Sequence, residues 1–307
     1  MLPVHLSIPC SVPDAMSPQP VVFIDSGVGG LPYLDSFNKL ASDRYAVYVA
    51  DREHYPYGPK KKEELTGILV SLVELIRREL DPCLFVIACN SASVSALESL
   101  RAHFPGIPFV GTVPAVKPAA LFSRKRRIGV LATERTVEDP YVSLLAGRFA
   151  PDCTLVGMAA PELVEFVEHR YIRASAQERT EVVAGYVHKF RELDVDALVL
   201  GCTHFLFLAP EFAAAASPDM VLFDSRSGVA KRALALLDEL PAADKPTDSA
   251  VNGTRVSVTS NNPVRNSSSQ QLPSRMYVTG SAPLEPQWAA FASHFALTLS
   301  STPGIRS

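Results

Sequence analysis

The sequence predicts an α/β protein built as two doubly wound halves, and three observations point that way. An apolar, β-branched run breaks at a cysteine twice, in LFVIACNSAS at 84–93 and in ALVLGCTHFL at 197–206. Short runs of this kind alternate with long amphipathic stretches, the mark of βαβ units. The length, 307 residues, suits two domains. A parallel strand buried on both faces reads as continuous Val/Ile/Leu, and the loop leaving its carboxyl end is where open α/β sheets place their chemistry. Cys89 and Cys202 are therefore expected at two strand ends, opposed across one cleft.

The elements follow in order. Residues 1–20 contain Pro and Ser without an apolar period and read as a flexible leader. VVFID at 21–25 opens the order as a strand. YAVYVAD at 45–51 is the next strand, followed by an amphipathic helix over 61–80, a strand over 83–89, a helix over 93–104 and the strand PFVGT at 108–112. The chain crosses to a second series near 111–114. That series holds the strands IGVLAT at 128–133 and CTLVGMAA from 153, helices over about 162–170 and 176–193, and ALVLGC. VLFDS at 221–225 reads as a strand re-entering the first domain. The first domain is then 21–112 plus 226–307, and the second is 113–225. Residues 241–275, rich in Ser, Asn, Pro and Thr, read as a mobile polar insertion with a short hairpin around RVSV. MYVTG at 276–280 is the final strand expected, before the helical PQWAAFASHFAL.

Composition narrows the function classes. A formal net charge of −3 with 20% charged residues gives no electrostatic case for nucleic acid or a membrane surface. The one basic cluster, Arg124 to Arg127, reads as a solvated turn before a strand. No apolar stretch approaches a bilayer span and the N-terminus lacks a secretory pattern, so a cytoplasmic protein is expected. Five cysteines at irregular spacing argue against a disulfide framework and for free thiols.

Four loops carry candidate chemistry. In Asp25-Ser26-Gly27-Val28-Gly29-Gly30 the glycines permit φ > 0 and N–H groups aimed at an anion, though such a turn serves equally as a tight connection. An aspartate at the strand end suits handling of a proton or an ammonium group. In Tyr55-Pro56-Tyr57-Gly58-Pro59, Tyr57 and Gly58 can offer a hydroxyl and a backbone N–H, or simply pack a turn. Cys89-Asn90-Ser91 puts a thiol at a helix N-terminus, which lowers its pKa toward neutral. Cys202-Thr203-His204 adds an imidazole that shares protons with its neighbours. Buried cysteine is often only a small hydrophobe, the reading that suits Cys83 and Cys153; Cys10 lies in the leader. Cys89 and Cys202 differ because polar residues follow each at once.

The ordered set DSGVGG, PYG, ACNSA, VPAVKPAA, LGCTH and YVTG closely resembles the glutamate racemases of the cofactor-independent aspartate/glutamate racemase family, from about residue 21 to 295. The resemblance implies two α/β domains related by a pseudo-twofold with the active site between them, a homodimer, no cofactor, and D-glutamate supply for bacterial peptidoglycan. It implies that the residue matching Cys89 deprotonates D-glutamate and the one matching Cys202 deprotonates L-glutamate. Asp25 would assist Cys89 and His204 would assist Cys202. Asp25, Ser26, Tyr57, Gly58, Asn90, Ser91 and Thr203 would line the site, with Glu168 a further acidic residue near the second thiol. Two departures stand out: Ser91 where the family commonly has Thr, and Ala132-Thr133 where it usually has Gly-Thr. Other readings are an aspartate racemase, a zinc site on Cys89, Cys202 and His204 without the usual C-x-x-C pairing, and an acidic amino-acid binding protein.

Overall fold

The computed structural model describes residues 19–240 and 273–301. Two parallel sheets organise the chain. The first is built by β1 (Val21–Asp25), α1 (Leu31–Leu40), β2 (Ala46–Ala50), α2 (Lys62–Leu80), β3 (Leu84–Ile87), α3 (Asn90–His103) and β4 (Phe109–Gly111). The chain then enters α4 (Val116–Phe122), β5 (Arg127–Ala132), α5 (Glu134–Glu138), α6 (Pro140–Phe149), β6 (Thr154–Ala159), α7 (Pro161–His169), α8 (Ala176–Glu192) and β7 (Ala197–Leu200). A 3₁₀ turn, α9 (Ala209–Ala216) and β8 (Val221–Phe223) complete the second sheet. Last come α10 (Arg226–Glu239), β9 (Arg275–Val278), α11 (Pro286–His294) and β10 (Thr298–Ser301).

Strand order is β10-β9-β2-β1-β3-β4 in the first sheet and β6-β5-β7-β8 in the second. The four strands from β2 to β4 and the four of the second sheet thus share one order, and the third strand in sequence of each set, β3 or β7, ends at a cysteine loop. β1, β2, β3 and β7 are buried throughout, the fate of a strand covered by helices on both faces. Registers match as well: Ile24 pairs with Ile87, and Leu131 with Leu200. The residue before each cysteine donates the same bond, Ala88 N–H to the Ile24 carbonyl and Gly201 N–H to the Leu131 carbonyl, both at 2.7 Å.

The helices cover the sheets by their apolar faces. α2 buries Leu65, Leu69, Leu72, Val73 and Ile76 at helical spacing and stops at Asp81, which adopts φ 44°. α8 begins with a capping box between Ser175 and Glu178. One apolar cluster runs from Phe23 and Tyr48 of the first sheet to Leu131 of the second, to Phe205 and Phe207 of the 3₁₀ turn after β7, and on to Trp288 and Phe291. The basic cluster is the turn before β5, where Asp196 accepts the N–H groups of Arg124 and Lys125.

Two expectations are corrected. VLFDS does not re-enter the first sheet: β8 pairs with β7, and the chain returns only after it. MYVTG does not supply the final strand either, because β10 follows α11 and pairs with β9 as the edge. Four residues of mixed polarity at an edge carry too little period to be read in advance. The leader as far as residue 18, including Cys10, and the insertion over 241–272, with its hairpin, lie outside the described residues.

Candidate active site

Cys89 and Cys202 occupy the same local position in their halves. Each is the N-cap residue of the helical segment that follows its strand, with extended backbone at φ −139° and −130°. Both open on one cleft of about 640 Å³, walled by the loops after β1, β3, β5 and β7, the Tyr55–Pro59 turn and the start of α7. Ser26, Tyr57, Gly58, Asn90, Ser91, Thr203 and His204 line it with the two thiols.

Asp25 and Glu168, expected on the wall, lie behind it. Asp25 is fully buried; its Oδ1 accepts from Ser26 N–H at 2.6 Å and its Oδ2 from the Thr203 hydroxyl at 3.0 Å. Burial raises its pKa from the ordinary 3.8 to about 6, against the pull of the neighbouring His204 and with a push from Glu168. Glu168 Oε1 accepts from His204 Nε2 at 2.6 Å and from Val28 N–H at 2.9 Å. His204 Nδ1 in turn lies 3.8 Å from Cys202 Sγ, within reach of a sulfur hydrogen bond. Burial alone would pull the imidazole down, but its bonds to Cys202 and Glu168 hold its pKa well above the ordinary value. Glu168, His204 and Cys202 therefore form one proton-sharing chain that ends at the cleft.

The expected acidification of Cys89 at a helix N-terminus is reversed. Burial pushes this thiol well above its ordinary pKa, the Asp25 charge adds to the push, and the N–H groups of Ala92 and Ser91 offset only part. Desolvation of a thiolate outweighs two backbone donors.

The glycine loop is likewise used differently from the anion cradle expected. Val28 N–H goes to Glu168 and Gly30 N–H to the Tyr48 hydroxyl, which itself donates to the Gly27 carbonyl. None of these glycines has positive φ; they are glycines for space. A Cβ at Gly27 would fall inside the Glu168 carboxylate, and one at Gly29 would lie 2.7 Å from His204 Nδ1. The Tyr57 hydroxyl is also unavailable to a ligand, since it donates to buried Asp51 at 2.7 Å, which further accepts from Thr279 and meets His54.

Further bonds join the two halves: Asn90 Nδ2 donates to the Gly201 carbonyl at 2.6 Å, and Ser91 Oγ meets Thr133 Oγ1 at 3.5 Å. Asn90 Oδ1 is buried without a hydrogen-bond partner among the described residues. The cleft also contains groups that sequence reasoning passed over, chiefly Tyr55, Arg135 and Glu165. Arg135 lies in the 132–136 segment where the departure from the family pattern was visible. Among the described residues no group of three or more His, Cys, Asp and Glu could hold a metal ion, so Cys89, Cys202 and His204 do not converge as zinc ligands.

Two thiols, one from each sheet, thus line a single cleft. The chain belongs to the Asp/Glu/hydantoin racemase family, whose pattern it matches over residues 24–232. It is 39% identical over 214 residues to the glutamate racemase of Treponema pallidum, covering 70% of this chain and 80% of that one. It is 37% identical over 243 residues to the glutamate racemase of Pectobacterium carotovorum, covering 78% and 84%. In structure it resembles Escherichia coli glutamate racemase in complex with L-glutamate and the activator UDP-MurNAc-ala, at TM-score 0.74 and 28% identity over 93% of this chain and 98% of that one.

Proposed function

We propose that this protein interconverts L- and D-glutamate by moving the α-proton between two thiols, Cys89 on one face of the substrate and Cys202 on the other. The observation that supports this reading is the pair of cysteines at matching strand ends, one from each sheet, lining one cleft. Cys89 deprotonates D-glutamate and Cys202 deprotonates L-glutamate, each returning a proton in the reverse direction. His204, backed by Glu168, takes up or returns the Cys202 proton; Asp25, itself half-protonated near pH 6, serves Cys89. The proton transfer between two thiols needs no cofactor.

The α-proton is far less acidic than a thiol, so the developing carbanion needs help. Donors around the substrate carboxylate, with the Ser91 hydroxyl and the second amide hydrogen of Asn90 nearest the thiols in sequence, supply it, each worth about 3 kcal/mol where such donors have been removed in other enzymes; the Thr203 hydroxyl is committed to Asp25 and its oxygen can only accept. The product fits supply of D-glutamate for peptidoglycan in the cytoplasm. A homodimer is part of the proposal, and exposed Leu121, Phe122 and Leu144, on α4 and α6, offer apolar surface for it. No described helix is long and apolar enough to cross a membrane.

The test is proton NMR of the purified protein with D-glutamate in D₂O without pyridoxal phosphate, alongside chiral analysis. Loss of the α-proton signal with appearance of L-glutamate is expected. Exchange with aspartate alone would reassign the substrate, and binding without exchange of either would leave a binding protein.

A further inference from the structure

Among the described residues Arg135 is the only Arg or Lys on the cleft wall. It sits in the first turn of α5, two residues past Thr133, and its Nη1 reaches across to the Gly58 carbonyl at a long 3.4 Å. Its Nε is buried without a hydrogen-bond partner among the described residues. It makes no ion pair among the described residues, although Glu134, Glu138, Asp139 and Glu165 line the same cleft. A guanidinium stays charged at any working pH and presents its donors in a rigid fork that matches a carboxylate. A donor left unmade is costly, so the guanidinium is weakly held where it lies, and turning its fork onto a planar anion in the cleft would satisfy Nε and Nη in parallel.

Both thiols must reach the α-carbon, which places it beside Cys89 and Cys202. The side chain of a dicarboxylic amino acid then carries its second carboxylate away from the thiols, along a wall whose other charged groups, His204 apart, are acidic. We infer, building on the glutamate reading above, that Arg135 receives the side-chain carboxylate of the substrate as a bidentate pair and so selects a dicarboxylic amino acid. Its bond to Gly58 places the guanidinium between the two halves, so the substrate carboxylate would meet it where the Tyr55–Pro59 turn faces α5.

The experiment compares wild type, R135Q and R135K in α-proton exchange in D₂O with glutamate and with its neutral isostere glutamine. In R135Q the KM for glutamate is expected to rise about 10- to 100-fold, the range of a charged hydrogen-bonded pair, with kcat changed only a few-fold. The preference for glutamate over glutamine in kcat/KM should shrink by the same factor, and R135K should fall between. Thermal melts check each fold; if R135Q does not fold, R135K carries the comparison with an expected loss of about 3- to 10-fold, because a point charge cannot make the parallel pair. A KM for glutamate within twofold of wild type, or an equal loss on both substrates, overturns the assignment. A wild type inactive on glutamate fails the proposed function instead, and no variant is needed to see it.

Discussion

Replacing Asp25 by asparagine should make the protein more stable and less active. The carboxyl group is fully buried, with a pKa of about 6 against the ordinary 3.8. The gap is about two units, and at about 1.4 kcal/mol per unit ionisation in the folded protein costs about 3 kcal/mol. A raised acid holds its proton longer folded than unfolded, so stability falls as pH climbs from 3.8 through 6 and stays lowered above. Asparagine cannot ionise. Its Oδ1 can keep the Ser26 N–H bond, and its amide can donate to Thr203, whose hydroxyl accepts as readily as it donates. In urea unfolding, D25N should match wild type near pH 4 and exceed it by about 1–3 kcal/mol at pH 8, the lower end allowing for imperfect rebonding. The same substitution removes the Asp25 charge that helps hold Cys89 protonated, so Cys89 should alkylate at lower pH than in wild type. A stability difference that is flat with pH, or a D25N protein weaker at pH 8, would refute the account of a carboxylate ionised against its surroundings.

Cys89→Ser and Cys202→Ser should each abolish racemisation with the melting temperature nearly unchanged, since serine is close in size and a far poorer base near pH 7; turnover near wild type in either, measured by circular dichroism of glutamate, would sink the two-thiol scheme. Because burial holds the Cys89 thiol up, the D-to-L rate should climb with pH beyond neutrality, and a rate constant from pH 6 to 9 would contradict that. Gly27→Ala should displace Glu168 and cost activity together with stability, by about 2 kcal/mol from overpacking, readable in paired kinetic and denaturation measurements. Phe207→Ala should cost about 3–5 kcal/mol, because that ring packs edge-on against Tyr171, Phe291 and Phe295; an unfolding midpoint close to wild type would count against it.

Much of this molecule was legible because buried parallel strands leave no polar face to blur the pattern. LFVI and ALVL could be placed, and their cysteines with them, from local sequence alone. What escaped depends on distance in the chain. The sequence shows three glycines after β1 but cannot tell freedom of φ from room for Glu168, which is 140 residues away at Val28. It shows Cys89 at a helix start but not the desolvation that outweighs it. Glu168 does betray itself, falling one turn after Val164 and next to buried Val167, where an exposed acid would not be expected. Arg135, by contrast, reads as any solvated charge in a polar segment, and only a cleft otherwise short of cations gives it meaning.

The bonds that join the two halves around the cleft differ in length. The buried ones are short: Asn90 to Gly201 at 2.6 Å, Val28 to Glu168 at 2.9 Å and Thr203 to Asp25 at 3.0 Å. Those at the cleft are long, Arg135 to Gly58 at 3.4 Å and Ser91 to Thr133 and Tyr55 to Glu165 at 3.5 Å, while the part-buried bond from Tyr33 to Ser225 is short at 2.7 Å. A force that spreads the halves breaks the long set first and turns about the short one. On that geometry the long bonds at the cleft are the ones a ligand's entry would strain first, and the short buried ones the last to yield.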